Sequence, residues 1–261
     1  MIERIGVFDS GMGGLTVLRQ LRAAFPRPDM VYLGDTARVP YGGRSPETIN
    51  RYAREDVEFL LHRRVDAVVV ACGTVSSNSL DYLRQRFDVP IFGVIDSAAR
   101  RVAALTKTGS VGVIGTAATI RSGAFERSLR REREDLQVIS RACPLIVPLV
   151  ENAVAPDDPV AGIICGRYLS AFAGKDIDTL IMGCTHYPVY RAAFARLLPG
   201  VTLVDPGEAL AQDLGPAFSG AAGEGRTEYF VTEHSAAFTE LVRVMDPELD
   251  ADSIQVTGLD T

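Results

Sequence analysis

Val69-Val70-Ala71-Cys72-Gly73-Thr74 and Ile181-Met182-Gly183-Cys184-Thr185-His186 are the two stretches on which the fold turns. Each is a short apolar run that ends on a cysteine and passes into small or polar residues. A run of that length, apolar on both faces, is the pattern of a parallel strand covered by helices on both sides. Outward from these two, apolar runs alternate with amphipathic segments along the whole chain. Strands are expected at Ile5–Phe8, Met30–Leu33, Ala67–Ala71, Val111–Ile114, Leu136–Ser140, Thr179–Met182 and Thr202–Val204. Helices are expected at Leu15–Ala24, Pro46–Arg63, Ser76–Arg86, Ser97–Ala104, Ala124–Arg133, Val160–Phe172 and Val189–Leu197. Strands alternating with helices in this way specify an α/β fold with mainly parallel sheets.

Three strand ends recur in the same order. Ile5-Gly6-Val7-Phe8-Asp9-Ser10-Gly11 resembles Val111-Gly112-Val113-Ile114-Gly115-Thr116-Ala117. The Cys72 stretch resembles the Cys184 stretch, and Phe92-Gly93-Val94-Ile95-Asp96-Ser97 resembles Thr202-Leu203-Val204-Asp205-Pro206-Gly207. The three offsets agree to within a few residues, as a duplicated α/β unit would produce. Two similar lobes related by a pseudo-two-fold are therefore expected. Lobe one is residues 1–95 plus 207–261 and carries Asp9 and Cys72; lobe two is 96–206 and carries Thr116 and Cys184. Open α/β sheets bind ligands at the carboxyl ends of their strands. Both cysteines take that position, so a two-fold points them into one cleft from opposite sides.

The remaining composition narrows the field. The chain of 261 residues is 47% hydrophobic and 23% charged, which reads as soluble and globular. Its net charge of −6 argues against a nucleic-acid partner, which needs a concentrated basic face. The arginines between Arg127 and Arg133 alternate with Glu126, Glu132 and Glu134, the pattern of a solvated helix face. No export signal or membrane-length apolar run is evident, which makes the cytoplasm the expected location and leaves no membrane partner. Cys143 and Cys165 lie in apolar runs and read as buried structural thiols. His62 and His234 have no motif context and read as surface residues.

A pair of facing thiols suits one kind of chemistry. Inverting an α-carbon takes a proton from one face and returns one to the other, so two groups on opposite faces are needed. Cysteine, with a reference pKa near ~8.5, reaches either protonation state with modest help. At Cys72 the start of a helix at Gly73-Thr74 offers amides that favour a thiolate. At Cys184 the neighbour His186 can hydrogen-bond or protonate nearby groups, and Pro188 sits where a helix would begin. Asp9 can assist the first thiol or hold a substrate ammonium.

Cofactors are addressed by elimination. A pyridoxal site needs a lysine, and the only two, Lys107 and Lys175, lie in loops away from strand ends. Gly11-Met12-Gly13-Gly14 fails as a dinucleotide fingerprint because Thr16 stands where the third glycine belongs. Zinc on Cys72, Cys184 and His186 lacks a fourth ligand and tight spacing. No cofactor and no metal is the simplest account.

At these residues the chain resembles the glutamate racemase branch of the aspartate/glutamate racemase superfamily. The resemblance runs over nearly the whole chain and is carried by Gly6–Gly14, by Gly34-Asp35-Thr36-Ala37-Arg38-Val39-Pro40-Tyr41-Gly42, by Val113–Thr116, by Pro148-Leu149-Val150-Glu151 and by Gly183–Pro188. It implies a two-lobed isomerase that interconverts L- and D-glutamate without pyridoxal phosphate, supplies D-glutamate for peptidoglycan, cell-wall biogenesis and cell shape, and is commonly a homodimer. By this similarity Cys72 serves the D-enantiomer and Cys184 the L-enantiomer, while Asp9, Glu151 and His186 are supporting ionisable groups. Ser10, Pro40, Tyr41, Gly42, Gly73, Thr74, Thr116, Thr119 and Thr185, with Asp9 and His186, line the substrate, and amides around Tyr41-Gly42 receive its side-chain carboxylate.

One position departs from the family. Asn usually follows the first cysteine, and here that place is Gly73. Losing a side-chain hydrogen bond to a charged substrate group weakens binding by roughly 1.5–3 kcal/mol. Gly73 therefore keeps open a racemase of another small amino acid such as aspartate; a separate alternative is a non-catalytic ligand-binding or regulatory protein on the same scaffold.

Overall fold

The computed structural model describes residues 2–218 and 220–259. Its strands are β1 (Arg4–Asp9), β2 (Asp29–Gly34), β3 (Ala67–Val70), β4 (Ile91–Gly93), β5 (Ser110–Gly115), β6 (Gln137–Ala142), β7 (Thr179–Met182), β8 (Thr202–Val204), β9 (Thr227–Val231) and β10 (Ile254–Val256). They form two sheets, ordered β10-β9-β2-β1-β3-β4 and β6-β5-β7-β8, in which every described pairing is parallel. The order β2-β1-β3-β4 in the first sheet is repeated as β6-β5-β7-β8 in the second. The register repeats as well: Ile5 pairs with Ala67 in the first sheet and Val111 with Thr179 in the second. Each cysteine lies the same number of residues beyond its strand's first paired residue, so the two sit at equivalent strand ends.

Helices α1 (Leu15–Ala24), α2 (Pro46–His62), α3 (Gly73–Asn78), α4 (Leu80–Arg86) and α5 (Ile95–Leu105) follow the first four strands. Helices α6 (Ala117–Ser122), α7 (Ala124–Glu132), α8 (Ile146–Glu151), α9 (Pro159–Leu169) and α10 (Arg191–Leu197) follow the strands of the second sheet. After β8, α11 (Pro206–Asp213), α12 (Gly215–Phe218) and α13 (Phe238–Met245) accompany the chain back to the first sheet. Among the described residues no helix is long and apolar enough to cross a membrane.

Side-chain alternation along the strands builds two cores. Ile5 and Val7 of β1, with Ala67 and Val69 of β3, enter the cluster under α1 and α11. Phe8, Val68 and Val70 point the other way, against Ile49, Val57 and Leu60 of α2. Each of these fully buried aliphatic side chains contributes about 1.5–3 kcal/mol relative to exposure, which is why the runs are apolar without interruption. Ser45 caps α2 by accepting from the Thr48 amide, and Pro46 occupies its first turn.

Several boundaries differ from the sequence reading. The segment expected as one helix at Ser76–Arg86 begins at Gly73 and is broken at Ser79, whose backbone leaves helical geometry between α3 and α4. Two short helices, α6 and α8, precede or follow segments that were expected as loops, and a 3₁₀ turn at Tyr187–Tyr190 stands where Pro188 suggested an α-helix start. Strand β6 runs one residue later at its start and two later at its end than expected. Helices this short carry too few apolar repeats to announce a period.

Candidate active site

The two cysteines end β3 and β7 and meet at the seam between the sheets. Cys72 is the residue before α3 and Cys184 follows Gly183 directly after β7. Both are buried. Their neighbours touch: a Cβ on Gly73 would stand 2.5 Å from the Gly183 carbonyl oxygen and 3.8 Å from the Cys184 Cα. The seam is also bridged by hydrogen bonds. Thr185 Oγ1 donates to Asp9 Oδ1 at 3.3 Å, Thr16 Oγ1 donates to the Thr185 carbonyl at 3.1 Å, and the Thr74 and Thr116 hydroxyls lie 2.9 Å apart. Thr116 caps α6 and continues to the Thr119 hydroxyl at 3.0 Å.

The two thiols have different companions. Cys72 Sγ donates to Ser10 Oγ at 3.4 Å. Burial, and then the Asp9 carboxyl nearby, push this thiol up to about 12. The helix-start amides of α3 act in the opposite sense but do not prevail, so the thiolate expected from the position alone is not favoured. Cys184 Sγ lies 3.7 Å from His186 Nδ1, and His186 Nε2 reaches Glu151 Oε1 at 2.5 Å. Burial opposes charge on the His186 ring, but the hydrogen bonds with Cys184 and Glu151 outweigh it and raise the ring well above the usual histidine range. Both ring nitrogens are thus engaged, one with a carboxylate and the other with a sulfur. Asp9 is fully buried and raised, mainly by desolvation, with His186 pulling it back. Its Oδ2 accepts from the Gly11 amide at 3.2 Å.

The rest of the predicted constellation gathers at the same seam. Pro40 leads, exposed, into a 3₁₀ turn at Tyr41–Gly43, and Tyr41 and Gly42 are buried. A Cβ on Gly42 would lie 2.6 Å from the Thr116 Cβ, so this turn packs directly on the second sheet's loops. Glu151 is the last residue of α8. Asn78, the asparagine nearest Gly73 in sequence, turns back on its own helix and donates to the Thr74 carbonyl at 2.8 Å. Cys143 and Cys165 are buried, and burial raises them to about 12 and about 11, as inert structural thiols. His62 and His234 are exposed. Lys107 and Lys175 lie in the loops that enter β5 and β7, the opposite ends of those strands from the thiols. Among the described residues no three His, Cys, Asp or Glu side chains converge as a metal site.

The sequence reading missed Tyr32, whose hydroxyl donates to the Gly11 carbonyl at 2.8 Å and braces the loop after Asp9. It also missed Thr16 as a seam residue. Both sit in periodic apolar segments, where a hydroxyl gives no local signal. An open groove of about 1020 Å³ between α4 and α7 contains none of the predicted site residues.

Comparison with known proteins agrees with this geometry. The family described as Asp/Glu/Hydantoin racemase matches residues 5–214. A glutamate racemase from Geobacter metallireducens is 44% identical over 243 residues, covering 90% of each chain. The crystal structure of glutamate racemase from Thermus thermophilus in complex with β-chloro-D-alanine is 42% identical, with a TM-score of 0.85 over 98% of this chain and 97% of that one. That of glutamate racemase from Francisella tularensis in complex with D-glutamate is 31% identical, with a TM-score of 0.90 over 99% and 98%. With two equivalent strand-end cysteines on a duplicated parallel sheet, and with these relatives along nearly its full length, the chain belongs to the Asp/Glu/Hydantoin racemase family, among its glutamate racemases.

Proposed function

We propose that this chain interconverts L- and D-glutamate by moving the α-proton between Cys72 and Cys184, with no cofactor. The observation that carries the reading is the equivalence of the two thiols: same strand, same register, one per sheet, adjoining across one seam. A D-glutamate complex of a relative with nearly complete overlap supports the substrate.

In this reading one cysteine acts as thiolate and takes the α-proton. The C–H electron pair passes into the α-carboxylate as an enolate-like carbanion. The opposite thiol then gives its proton to the other face, and the first is left protonated. Cys184 serves the L-enantiomer and Cys72 the D-enantiomer. His186, held by Glu151, stands ready to hydrogen-bond a thiolate at Cys184 or to exchange a proton with it. Asp9 and Ser10 do the same service on the Cys72 side, where a protonated Asp9 can give its proton to a Cys72 thiolate and take it back, and an ionised Asp9 can hold the substrate ammonium. Thr74, Thr116, Thr119 and Thr185, with Gly73, face the α-amino-acid end, and the turn at Pro40, Tyr41 and Gly42 offers amides to the distal carboxylate.

The lobe division at 1–95 with 207–261 and at 96–206 belongs to this reading and is supported by sheet membership. A cytoplasmic site accords with two working thiols that must stay reduced. A homodimer is supported by an exposed apolar face on α9 and α10, where Ile163 is 71% and Val160 51% exposed; light scattering behind size exclusion tests it. The product D-glutamate would serve peptidoglycan synthesis.

The test is circular dichroism of purified, reduced protein with L-glutamate and then with D-glutamate, without pyridoxal phosphate. Signal decaying to zero from both sides is expected. No change with either enantiomer, but decay with aspartate, would move the assignment to the smaller substrate that Gly73 kept open.

A further inference from the structure

Behind the Tyr41–Gly43 turn lies a buried polar cluster that the thiol chemistry does not use. Asp35 and Asp56 are both fully buried, and both reach the Tyr41 hydroxyl. The Tyr41 hydroxyl contacts Asp35 Oδ2 closely and Asp56 Oδ2 at 3.0 Å. Arg38 reaches all three nearby acids: its Nε to Asp35, its Nη1 to Glu55 and its Nη2 to Asp56 Oδ1 at 3.2 Å. Asp35 Oδ1 also accepts from Thr232 Oγ1 at 2.9 Å, at the end of β9. Glu55 and Asp56 come from α2, Asp35 from the end of β2, and Arg38 and Tyr41 from the loop itself.

Counting donors assigns the protons. Asp35 is met by the Arg38 Nε–H, the Thr232 hydroxyl and the Tyr41 hydroxyl, and so acts only as an acceptor. A tyrosine has one hydroxyl proton, and Asp35 takes it. The 3.0 Å contact between Tyr41 and Asp56 Oδ2 then needs a hydrogen from Asp56, while Asp56 Oδ1 accepts from Arg38. Burial and the neighbouring Asp35 carboxylate raise Asp56 well above the ordinary carboxyl range, against the pull of Arg38. Tyr41 is raised too, chiefly by burial, and keeps its proton.

We propose that protonated Asp56 is a positioning residue, which through Tyr41, Asp35 and Arg38 holds the Pro40–Gly43 turn against Thr116 so that its amides meet the distal carboxylate of the substrate. The proposal rests on the racemase reading for the identity of that carboxylate. The turn has few ties of its own: its described backbone bond is from the Arg44 amide to the Tyr41 carbonyl, at 2.9 Å. Its position is set by the buried Tyr41 side chain on one side and by the contact of Gly42 with Thr116 on the other. Ionising Asp56 would place a third negative charge beside Asp35 and Glu55 with one arginine between them, and would turn the Tyr41–Asp56 bond into a repulsive contact of two acceptors.

The experiment compares Asp56→Asn and Asp56→Ala with the wild type in both reaction directions across pH. Asn supplies the same neutral donor and acceptor, so KM for glutamate is expected to stay within about 2-fold at neutral pH, while Ala, which removes the bonds to both Tyr41 and Arg38, raises KM by about 10-fold with kcat held within about 3-fold. Any rise of wild-type KM at alkaline pH that comes from Asp56 is expected to vanish in Asp56→Asn. Asp56→Asn as impaired as Asp56→Ala, or Asp56→Ala with wild-type KM, would overturn the proposal. Where Asp56→Ala does not fold, the infrared difference spectrum of wild type minus Asp56→Asn decides: a protonated-carboxyl carbonyl band at neutral pH is expected, and its absence overturns the assignment. A wild type inert toward both enantiomers of glutamate would fail the racemase reading, while the infrared band would still decide the protonation of Asp56 by itself.

Discussion

Gly73 and Gly183, the residues directly after Cys72 and directly before Cys184, touch across the seam, leaving no room for a side chain at position 73: the Gly183 carbonyl oxygen would lie 2.5 Å from its Cβ. The obstacle is backbone on the opposite sheet, which cannot swing aside as a side chain would. The departure from the usual Asn is therefore built into the way this seam closes.

Gly73→Ala is expected to open the seam. Forcing a methyl into a closed contact costs about 1–3 kcal/mol, read as a lower melting temperature, and the displaced thiols lower kcat/KM. Unchanged melting and kinetics would mean that the seam opens freely and that the contact is incidental.

Replacing either thiol should stop racemisation. Cys72→Ala and Cys184→Ala each remove one of two proton-transfer groups, and a loss of about 10²–10⁴-fold in kcat is expected, measured by polarimetric or dichroic decay in both directions. Full activity in either variant would sink the two-thiol mechanism.

Glu151→Gln should move the pH response of the His186 side. His186 is raised in the fold, so its contribution to stability is complete below the unfolded value near ~6.5 and is lost as pH rises through the folded value. Removing the Glu151 charge lowers that folded value, so the alkaline decline in melting temperature should be smaller and end at lower pH. Histidine NMR titration would follow the same shift. A decline of wild-type size that ends at the wild-type pH would show that Glu151 does not raise the ring.

Asp205 provides an acid-side counterpart. It caps α11 through the Gly207 amide at 2.8 Å and lines the narrow gap behind Cys184. Burial raises it to about 6. A raised carboxyl contributes stability that is full below its unfolded value and lost as pH climbs through the folded one, here between about 4 and 6, and worth about 3 kcal/mol. Asp205→Asn, which can still cap the helix, should flatten that segment of the stability–pH curve in urea titrations. An unaltered slope would place the titration elsewhere.

Much of this was legible in the sequence, and for identifiable reasons. Parallel strands buried on both faces must be continuously apolar, so Val69–Ala71 and Thr179–Met182 stand out, and the residues that end such strands are confined to the ligand-binding edge. The similar stretches around Cys72 and Cys184 therefore pointed to equivalent positions, and the strand orders β2-β1-β3-β4 and β6-β5-β7-β8 bear this out. The C-terminal strand at Thr227–Val231 pairs with β2 in the first sheet. Short helices such as α6 and α8 were not legible, because a segment of six residues completes less than two turns and shows no period.

By itself, the sequence determined the α/β class, the duplication and the pairing of Cys72 with Cys184, because hydrophobic period and residue identity are local properties. Only the tertiary structure decided the electrostatics. The Cys72 thiol is raised although it precedes a helix, because burial next to Asp9 outweighs the amides of α3. His186 is raised because the Cys184 thiol and Glu151, the latter distant in sequence, arrive beside its ring and outweigh burial, and Asp56 is raised because burial and the neighbouring Asp35 outweigh Arg38 and Tyr41. Desolvation and charge–charge energies depend on distances through space, which no spacing along the chain records.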